Sequence, residues 1–319
     1  MRFFRTGVCL AASVFSLFLV SASSFSLSHW NTFSGRQQQQ KDACVPEMSS
    51  RRIAVVTGAN KGIGFEIARI LGAQPNTHCI LACRNPELGQ RAAAELQRTG
   101  GDVSFKPLDI SDPRSIEMFA SMIKQEYGAI DMLVNNAGFA FKGADPTPFT
   151  HQARPTLSIN YFGTVNVCEY LKPLIRDNGR VSIVSSMSGR VSIFPPQLRE
   201  RLLSPALSTA EISQFANLFI QDVEAGTHQQ KGWPNTTYGA SKGFVSAYTR
   251  VLARELKGRN ILVNCCCPGY CVTDMSSRRG NRSAAEGAKT PAMLAMLPAG
   301  APTGEYWTDG VVRNWAQTQ

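Results

Sequence analysis

The stretch "RIAVVTGANKGIGFEIARILG", Arg52–Gly72, decides how the rest of the chain is read. Its first part, "RIAVVTG", is a short apolar run and predicts a buried strand. Its last part, continued as "GFEIARILGAQ", has apolar residues at helical spacing and predicts a helix. Between them lies "TGANKGIG", Thr57–Gly64. Gly58, Gly62 and Gly64 let the backbone turn tightly and approach a pyrophosphate. The start of the helix offers free N–H groups and a partial positive charge. A glycine string alone also fits an ordinary turn, so its context has to decide.

The context is a repeat of the same grammar. "HCILACR", "VSFKPLDI", "IDMLVNNAG", "GRVSIVSS" and "ILVNCCCPG" read as further strands. "NPELGQRAAAELQRTG" reads as a helix with Asn85 as cap, Pro86 in the first turn and Gly100 as stop. A third helix follows in "SDPRSIEMFASMIKQEYG", a long one includes "TLSINYFGTVNVCEYLKPLI", and another runs from about Tyr238 to Lys257. Pro155 marks either a helix start or a kink. A late "GEYWTDGVV" is expected to close the sheet. Near-continuous apolar strands alternating with helices predict a parallel sheet covered on both faces. The expected fold is α/β, a doubly wound Rossmann-type sheet in one domain over residues 51–319.

The second strand ends in "LACRNP". Sites selective for NAD usually place an acid there to bond the ribose 2′-hydroxyl, and NADP sites carry a base. Here the residue is Arg84, and Lys61 adds a second cation inside the phosphate loop. Arginine grips a phosphate with two hydrogen bonds. The pair favours NADPH.

Composition narrows the function class. The 319 residues carry a net charge of +10 and are 43% hydrophobic, enough for a substantial core. Arg2, Arg5, Arg36 and Lys41 against Asp42 and Glu47 give the first fifty residues +2, which leaves +8 to the rest. That surface suits an anionic ligand. Zinc-finger spacing, arginine-rich tracts and RNA-binding signatures are missing, so nucleic acid is not the expected partner. The nine cysteines are odd in number and show no paired metal-binding spacing, so neither a disulfide framework nor a metal site is expected.

"NTTYGASKGF", Asn235–Phe244, sets Tyr238 one helical turn before Lys242, with Gly239, Ala240 and Ser241 between them. With it the chain resembles the short-chain dehydrogenase/reductase superfamily over Arg51–Trp315. The motifs are "TGANKGIG", "NNAG" at Asn135–Gly138, "IN" ending at Asn160, "VSS" ending at Ser186, "YGASK" at Tyr238–Lys242 and "PG" at Pro268–Gly269, in the family's order. The resemblance implies catalytic roles for four residues. Tyr238 protonates the carbonyl oxygen during reduction. Lys242 bonds the nicotinamide ribose and lowers the Tyr238 pKa. Ser186 holds the carbonyl, and Asn160 positions a water linking Lys242 to solvent. It also implies cofactor contacts from Gly58, Asn60, Lys61, Gly62, Ile63, Gly64, Arg84, Asp109, Ile110, Asn136, Tyr238, Lys242, Pro268 and Gly269. A nearby cation favours a phenolate, and the small intervening residues are expected to leave room for the cofactor.

Ser186 and Tyr238 are 52 positions apart, longer than most of the superfamily. The extra segment, 192–233, reads as an ordered helical insertion. "SPALSTAEISQFANLFIQDVEAG" begins with a Ser208–Glu211 capping box, carries Ile212, Phe215, Phe219 and Val223 on one face, and can stop at Gly226. "FAFKGADPTPF", "HQQKGWPN" and "CCPGY" resemble the monomeric NADPH-dependent carbonyl reductases, which reduce aldehydes, ketones and quinones. That implies an NADPH-dependent carbonyl reductase acting as a monomer. The substrate side is assigned to Phe141, Lys142, Gly143, Ala144, Met187 and Tyr270, with Phe139 and Met275 in an apolar wall. Tyr270 stands where the resembling enzymes have Trp. The resemblance also implies glutathione conjugates as ligands near Phe141–Ala144. Cys267 reads as a buried strand residue, with a reactive thiol as the competing reading.

Two other classes compete: an alcohol or steroid dehydrogenase working oxidatively, and a non-catalytic NADP(H)-binding sensor. The presence of Asn160, Ser186, Tyr238 and Lys242 together weighs against the sensor.

"MRFFRTGVCLAASVFSLFLVSASSFS" has a basic start, an apolar run and small residues at Ala22 and Ser24, the pattern of a signal peptide. The acid-poor stretch after it, with "QQQQ", resembles a transit peptide, and the two together resemble the presequences of secondary plastids. Residues 1–50 are expected to target the chain to a plastid, another organelle or the secretory pathway; a disordered tail or a spurious start would leave it cytoplasmic. Sequons at Asn235 and Asn281 argue against a glycosylating lumen, since a glycan on Asn235 would crowd Tyr238.

Overall fold

The computed structural model describes residues 51–316. The targeting expectations for 1–50 lie outside the described residues. The elements in chain order are β1 (Arg52–Thr57), α1 (Gly62–Gly72), β2 (Thr77–Cys83), α2 (Pro86–Arg98), β3 (Val103–Pro107), α3 (Pro113–Tyr127) and β4 (Ile130–Asn135). There follow α4 (Ala153–Leu157), α5 (Thr164–Leu171), β5 (Ile175–Val184), α6 (Pro196–Leu203), α7 (Thr209–Glu224), α8 (Thr237–Glu255), β6 (Leu262–Cys267), α9 (Ala284–Ala295), β7 (Tyr306–Thr308) and β8 (Val311–Arg313).

The strands form one sheet in the order β3-β2-β1-β4-β5-β6-β7-β8. Every pairing is parallel except β7 with β8. The chain runs outward from β1 to β3, then returns to place β4 on the other side of β1. The crevice at the carboxyl ends of β1 and β4 is therefore the topological switch point, where such sheets bind ligands. Strand residues alternate between two cores. Ile53, Val55, Ile80 and Leu133 pack with α3, α5 and α8, while Ala54, Val56, Leu81 and Val134 pack with α1, α2 and α9. This two-residue period with both faces covered is why the strands read as unbroken apolar runs.

The local signals near the ends hold where short-range chemistry sets them. Asn85 accepts from the Leu88 N–H at 2.9 Å and Gly100 takes φ +85°. Pro155 is the third residue of α4, where its missing N–H has no partner to lose, so it marks a start. The long helix expected over Thr156–Ile175 is instead broken. A π-helical turn, Ser158–Gly163, separates α4 from α5, and a 3₁₀ turn, Lys172–Leu174, ends the run. "GEYWTDGVV" is a hairpin rather than one strand, because Asp309 (φ +50°) and Gly310 (φ +76°) form a tight left-handed turn.

The segment before Tyr238 holds two helices, α6 and α7, where one was expected. Ile212, Phe219 and Val223 of α7 are fully or nearly buried, each such side chain stabilising by roughly 1.5–3 kcal/mol. Only the serine half of the expected capping box forms: Ser208 accepts from the Glu211 N–H at 3.2 Å. The Glu211 carboxylate is taken instead by Arg201 of α6, at 2.7 and 2.8 Å, which fastens the two helices together. Gly226 (φ +69°) ends α7, with Gly226 N–H on the Val223 carbonyl and Thr227 N–H on that of Asp222. The buried Asp222 carboxylate then anchors the "HQQKGWPN" loop, accepting from Trp233 Nε1 at 2.7 Å and Lys231 Nζ at 2.6 Å.

Candidate active site

The phosphate loop is shaped by close backbone approach. A Cβ on Gly58, at φ +65°, would lie 2.9 Å from Ala137 Cα, and one on Gly64 would lie 2.4 Å from the Gly58 carbonyl oxygen. The "NNAG" segment after β4 holds the loop from the far side. Asn136 Nδ2 donates to the carbonyls of Thr57 (2.9 Å) and Gly58 (3.3 Å). Thr57 Oγ1 accepts from the N–H groups of Asn136 and Ala137, both at 3.0 Å. Asn136 therefore shapes the loop through its backbone. Helix α1 starts with no side-chain cap, whereas α2, α3, α7, α8 and α9 each have one. Its first N–H groups remain available to an anion. A glycine cradle before an uncapped helix fits a dinucleotide pyrophosphate.

At the ends of β2 and β3, Arg84 and Asp109 come together, with Arg84 Nε 4.0 Å from Asp109 Oδ2 and the guanidinium 76% exposed. Ser111 orients the same carboxylate through its N–H at 2.9 Å and its hydroxyl at 2.6 Å. Ile110 is buried against Gly163. Asn60 and Ile63 are half-buried in and beside the loop. Lys61 does not point free into the crevice: its Nζ donates to Asp274 Oδ2 at 2.8 Å. Pro268 is buried, and Gly269 turns at φ +82° with the Arg282 guanidinium packed over it.

Helix α8 delivers Tyr238 and Lys242. Thr236 caps it, accepting from the Gly239 N–H at 3.0 Å. The turn after β5 delivers Ser186 and presses against α8. A Cβ on Gly189 would lie 2.4 Å from Gly243 N and from Lys242 C, and one on Gly239 would lie 2.7 Å from the Ser188 oxygen. Gly239 and Gly243, which follow Tyr238 and Lys242 in α8, thus admit this turn. Trp315 Nε1, near the end of the described chain, donates to the Gly189 carbonyl at 3.0 Å and holds the turn from outside.

The Ser186 side chain lies beside the Tyr238 hydroxyl, and its Oγ accepts from the Ser188 N–H at 3.1 Å. Burial pushes the Tyr238 phenol up to about 12, with Ser186 pulling back. This is opposite to the lowering expected from Lys242. Burial also depresses Lys242, to about 8. Its Nζ lies 5.9 Å from the Tyr238 ring centroid and donates to the Val184 carbonyl at 2.8 Å. With no contact to the phenol oxygen, the ammonium is outweighed by desolvation. The result is a neutral phenol, which is a proton donor.

Asn160 sits in the π-helical turn and is fully buried. Its Oδ1 accepts from the Phe139 N–H at 2.7 Å, and its Nδ2 donates to the Phe139 carbonyl at 2.8 Å and to Ser241 Oγ at 2.9 Å. It borders Lys242 across Gly138, where a Cβ would lie 3.3 Å from Asn160 Oδ1 and 3.5 Å from Lys242 Nζ. The turn interrupts the helix at the place where Asn160 must face the loop after β4.

The substrate-side residues lie on the loops after β4, β5 and β6. Phe139 and Phe141 meet edge to face at 4.8 Å. Lys142, Gly143, Ala144, Met187, Tyr270 and Met275 are exposed. Of the expected wall, Phe139 and Phe141 are therefore paired, while Tyr270 and Met275 are open to solvent. Cys267 is buried, and its sulfur accepts from the Gly269 N–H at 3.4 Å. The seven cysteines among the described residues are all free and buried, and those residues hold no cluster of three or more potential metal ligands. Sequence reasoning missed Thr57 and Thr273. Thr57 ends a strand and reads as strand. Thr273 touches the phosphate loop, its Cγ2 3.4 Å from a Cβ on Gly62, and no local pattern marks it.

The assembly is that of a dinucleotide crevice beside a buried proton donor. Residues 52–195 and 223–284 match the short chain dehydrogenase family, and the chain belongs to it. The unmatched residues between those spans contain α6 and most of α7. The chain is 43% identical over 275 residues to carbonyl reductase [NADPH] 1 of Mus musculus, covering 84% of this chain and 99% of that one. It is 42% identical over 275 residues to carbonyl reductase [NADPH] 3 of Rattus norvegicus, with the same coverage. Among solved structures it is similar to salutaridine reductase from Papaver somniferum, with TM-score 0.74 and 32% identity over 81% of this chain and 99% of that one.

Proposed function

We propose that this chain is an NADPH-dependent carbonyl reductase, converting aldehydes, ketones or quinones to alcohols. The observation that carries the reading is the Ser186–Tyr238 hydroxyl pair at the switch-point crevice, with Lys242 and Asn160 buried behind it. The identity to carbonyl reductases supports the substrate class and the cofactor. When bound, NADPH supplies the hydride. The chain's own residues bind, orient and protonate. Gly58, Asn60, Lys61, Gly62, Ile63 and Gly64 would hold the pyrophosphate side, Arg84 and Lys61 the extra phosphate, and Asp109, Ile110, Asn136, Pro268 and Gly269 the walls. The hydroxyls of Ser186 and Tyr238 both turn to the carbonyl oxygen. Ser186 orients it, and Tyr238 donates its proton as negative charge develops there. A phenol held neutral by burial keeps that proton until the transition state demands it. Lys242 and Asn160, buried beside Gly138, would relay the replacement proton to Tyr238.

The test is loss of NADPH absorbance with menadione and a panel of aldehydes, repeated with NADH. Turnover with NADPH well above that with NADH supports the reading; no turnover with any carbonyl at saturating NADPH moves the sensor reading ahead.

A monomer is supported by α7 packing over α4 and α8, and a stable tetramer in gel filtration would exclude it. Binding of glutathione conjugates is supported by Lys142, exposed on an open loop, and equal kinetics for a glutathionylated aldehyde and its parent would remove it. Delivery to a plastid or another organelle is supported by residues 1–50 alone. Microscopy of a C-terminally tagged chain decides it, and a diffuse cytosolic signal would sink it.

A further inference from the structure

Asp274 lies on the segment after β6, six residues beyond Pro268. Its Oδ2 accepts from Lys61 Nζ at 2.8 Å, and its Oδ1 is 3.7 Å from Arg278. Lys61 first, then Arg278 and Lys142, hold its carboxyl below the usual carboxylate range. Lys61 belongs to the phosphate loop and Lys142 to the loop after β4. One cation from the phosphate loop and one from Asp274's own segment thus lie against a single carboxylate. The Lys61–Asp274 side chains are 63% and 52% exposed, so the pair is loose and readily exchanged. A phosphate dianion carries more charge than a carboxylate and makes a stronger partner for an ammonium.

We propose that Asp274 is a built-in competitor for the cofactor's phosphate at Lys61, weakening NADPH binding and hastening release of the oxidised cofactor. Opening of the Lys61–Asp274 pair accompanies each binding event, and its re-formation accompanies each release. The inference rests on the reading of Lys61 as a phosphate ligand. It assigns an exposed acid outside the catalytic group a part in cofactor specificity, because the competition acts on the ligand with the extra phosphate more than on NADH.

The experiment is a double-mutant cycle on the full chain: wild type, Asp274→Asn, Lys61→Met and the double variant. NADPH and NADH affinities are read by fluorescence titration, and NADP⁺ release by stopped flow. Asp274→Asn should tighten NADPH about two- to fivefold, the range of a partly exposed ion pair, and slow release by a similar factor. NADH should change less, the gain should fade at high salt, and it should vanish in the Lys61→Met background. Asp274→Glu, which keeps the charge, should bind like the wild type. Unchanged or weaker NADPH binding in Asp274→Asn, or the same gain without Lys61, overturns the competition. If Lys61→Met binds NADPH as well as the wild type does, the phosphate assignment of Lys61 falls with it, while NADPH binding itself still stands.

Discussion

Asp222 joins the inserted helix to the loop that leads into the catalytic helix, and Asp222→Ala is the perturbation that isolates it. The carboxylate is 5% exposed and holds Trp233 Nε1 at 2.7 Å and Lys231 Nζ at 2.6 Å. Trp233 is itself buried, its ring tilted against that of Phe219 at 5.4 Å between centroids. Removing the acid leaves the indole N–H buried without a partner, at a cost of about 1–3 kcal/mol, and forfeits a charge-assisted bond. The Lys231 arm counts for little, because that side chain is 55% exposed and water replaces its partner. Losing a buried carboxylate also removes its desolvation cost, which offsets part of the damage. The net is about 2–4 kcal/mol, or a fall in Tm of roughly 5–15 °C for a chain of this size. Asp222→Asn keeps an acceptor for Trp233 and should lose less than half as much. Scanning calorimetry of the three proteins side by side decides it. A Tm for Asp222→Ala within 2 °C of wild type refutes the reasoning, as does an Asn variant as damaged as the Ala one. Turnover should fall with stability, because this loop runs straight into Thr236, the cap of α8.

Gly189→Ala drives a Cβ to 2.4 Å from the α8 backbone, so the turn carrying Ser186 must back away. Carbonyl turnover should drop about 100-fold with NADPH binding little changed, since a misplacement of about 1 Å near the chemistry costs that much; a drop under threefold contradicts the contact. Lys242 carries a pH signature. Its folded pKa is depressed to about 8 from the ordinary 10.5, so the folded state binds fewer protons than the unfolded state between those values. The penalty on the fold is full below pH 8, about 3 kcal/mol, and disappears as pH rises towards 10.5. Lys242→Met removes it, so urea unfolding should show the variant's relative advantage shrinking by about 2.5 kcal/mol from pH 7 to pH 10. A difference that does not depend on pH would falsify the burial of a charged Lys242.

What was legible in the sequence is what short-range chemistry dictates. The phosphate loop, the Asn85 cap, the Gly226 stop and the Tyr238–Lys242 spacing are each written in a few neighbouring residues. The strands were legible because both faces of the sheet are covered, which removes polar residues from them. Features made by distant partners were not. The π-helical turn at Asn160 exists because its amide must reach Phe139, and no helical pattern encodes that. Glu211 completes a capping box on paper but finds Arg201 in space. Lys61 reads as a free cation until Asp274 is brought to it from more than two hundred residues away. The direction of the Tyr238 shift was missed for a related reason. Spacing shows the cation, whereas burial comes from the whole surrounding fold.

The most direct measurement of the central claim is Tyr238→Phe, with NADPH binding and carbonyl turnover measured on the same preparation. The variant loses one hydroxyl and keeps the ring. The account predicts NADPH binding within about twofold of wild type and menadione or aldehyde reduction slowed by a factor of about 10²–10⁴, the range of a general acid. Reduction within threefold of the wild-type rate, with binding intact, would contradict the assignment of Tyr238 as the proton donor.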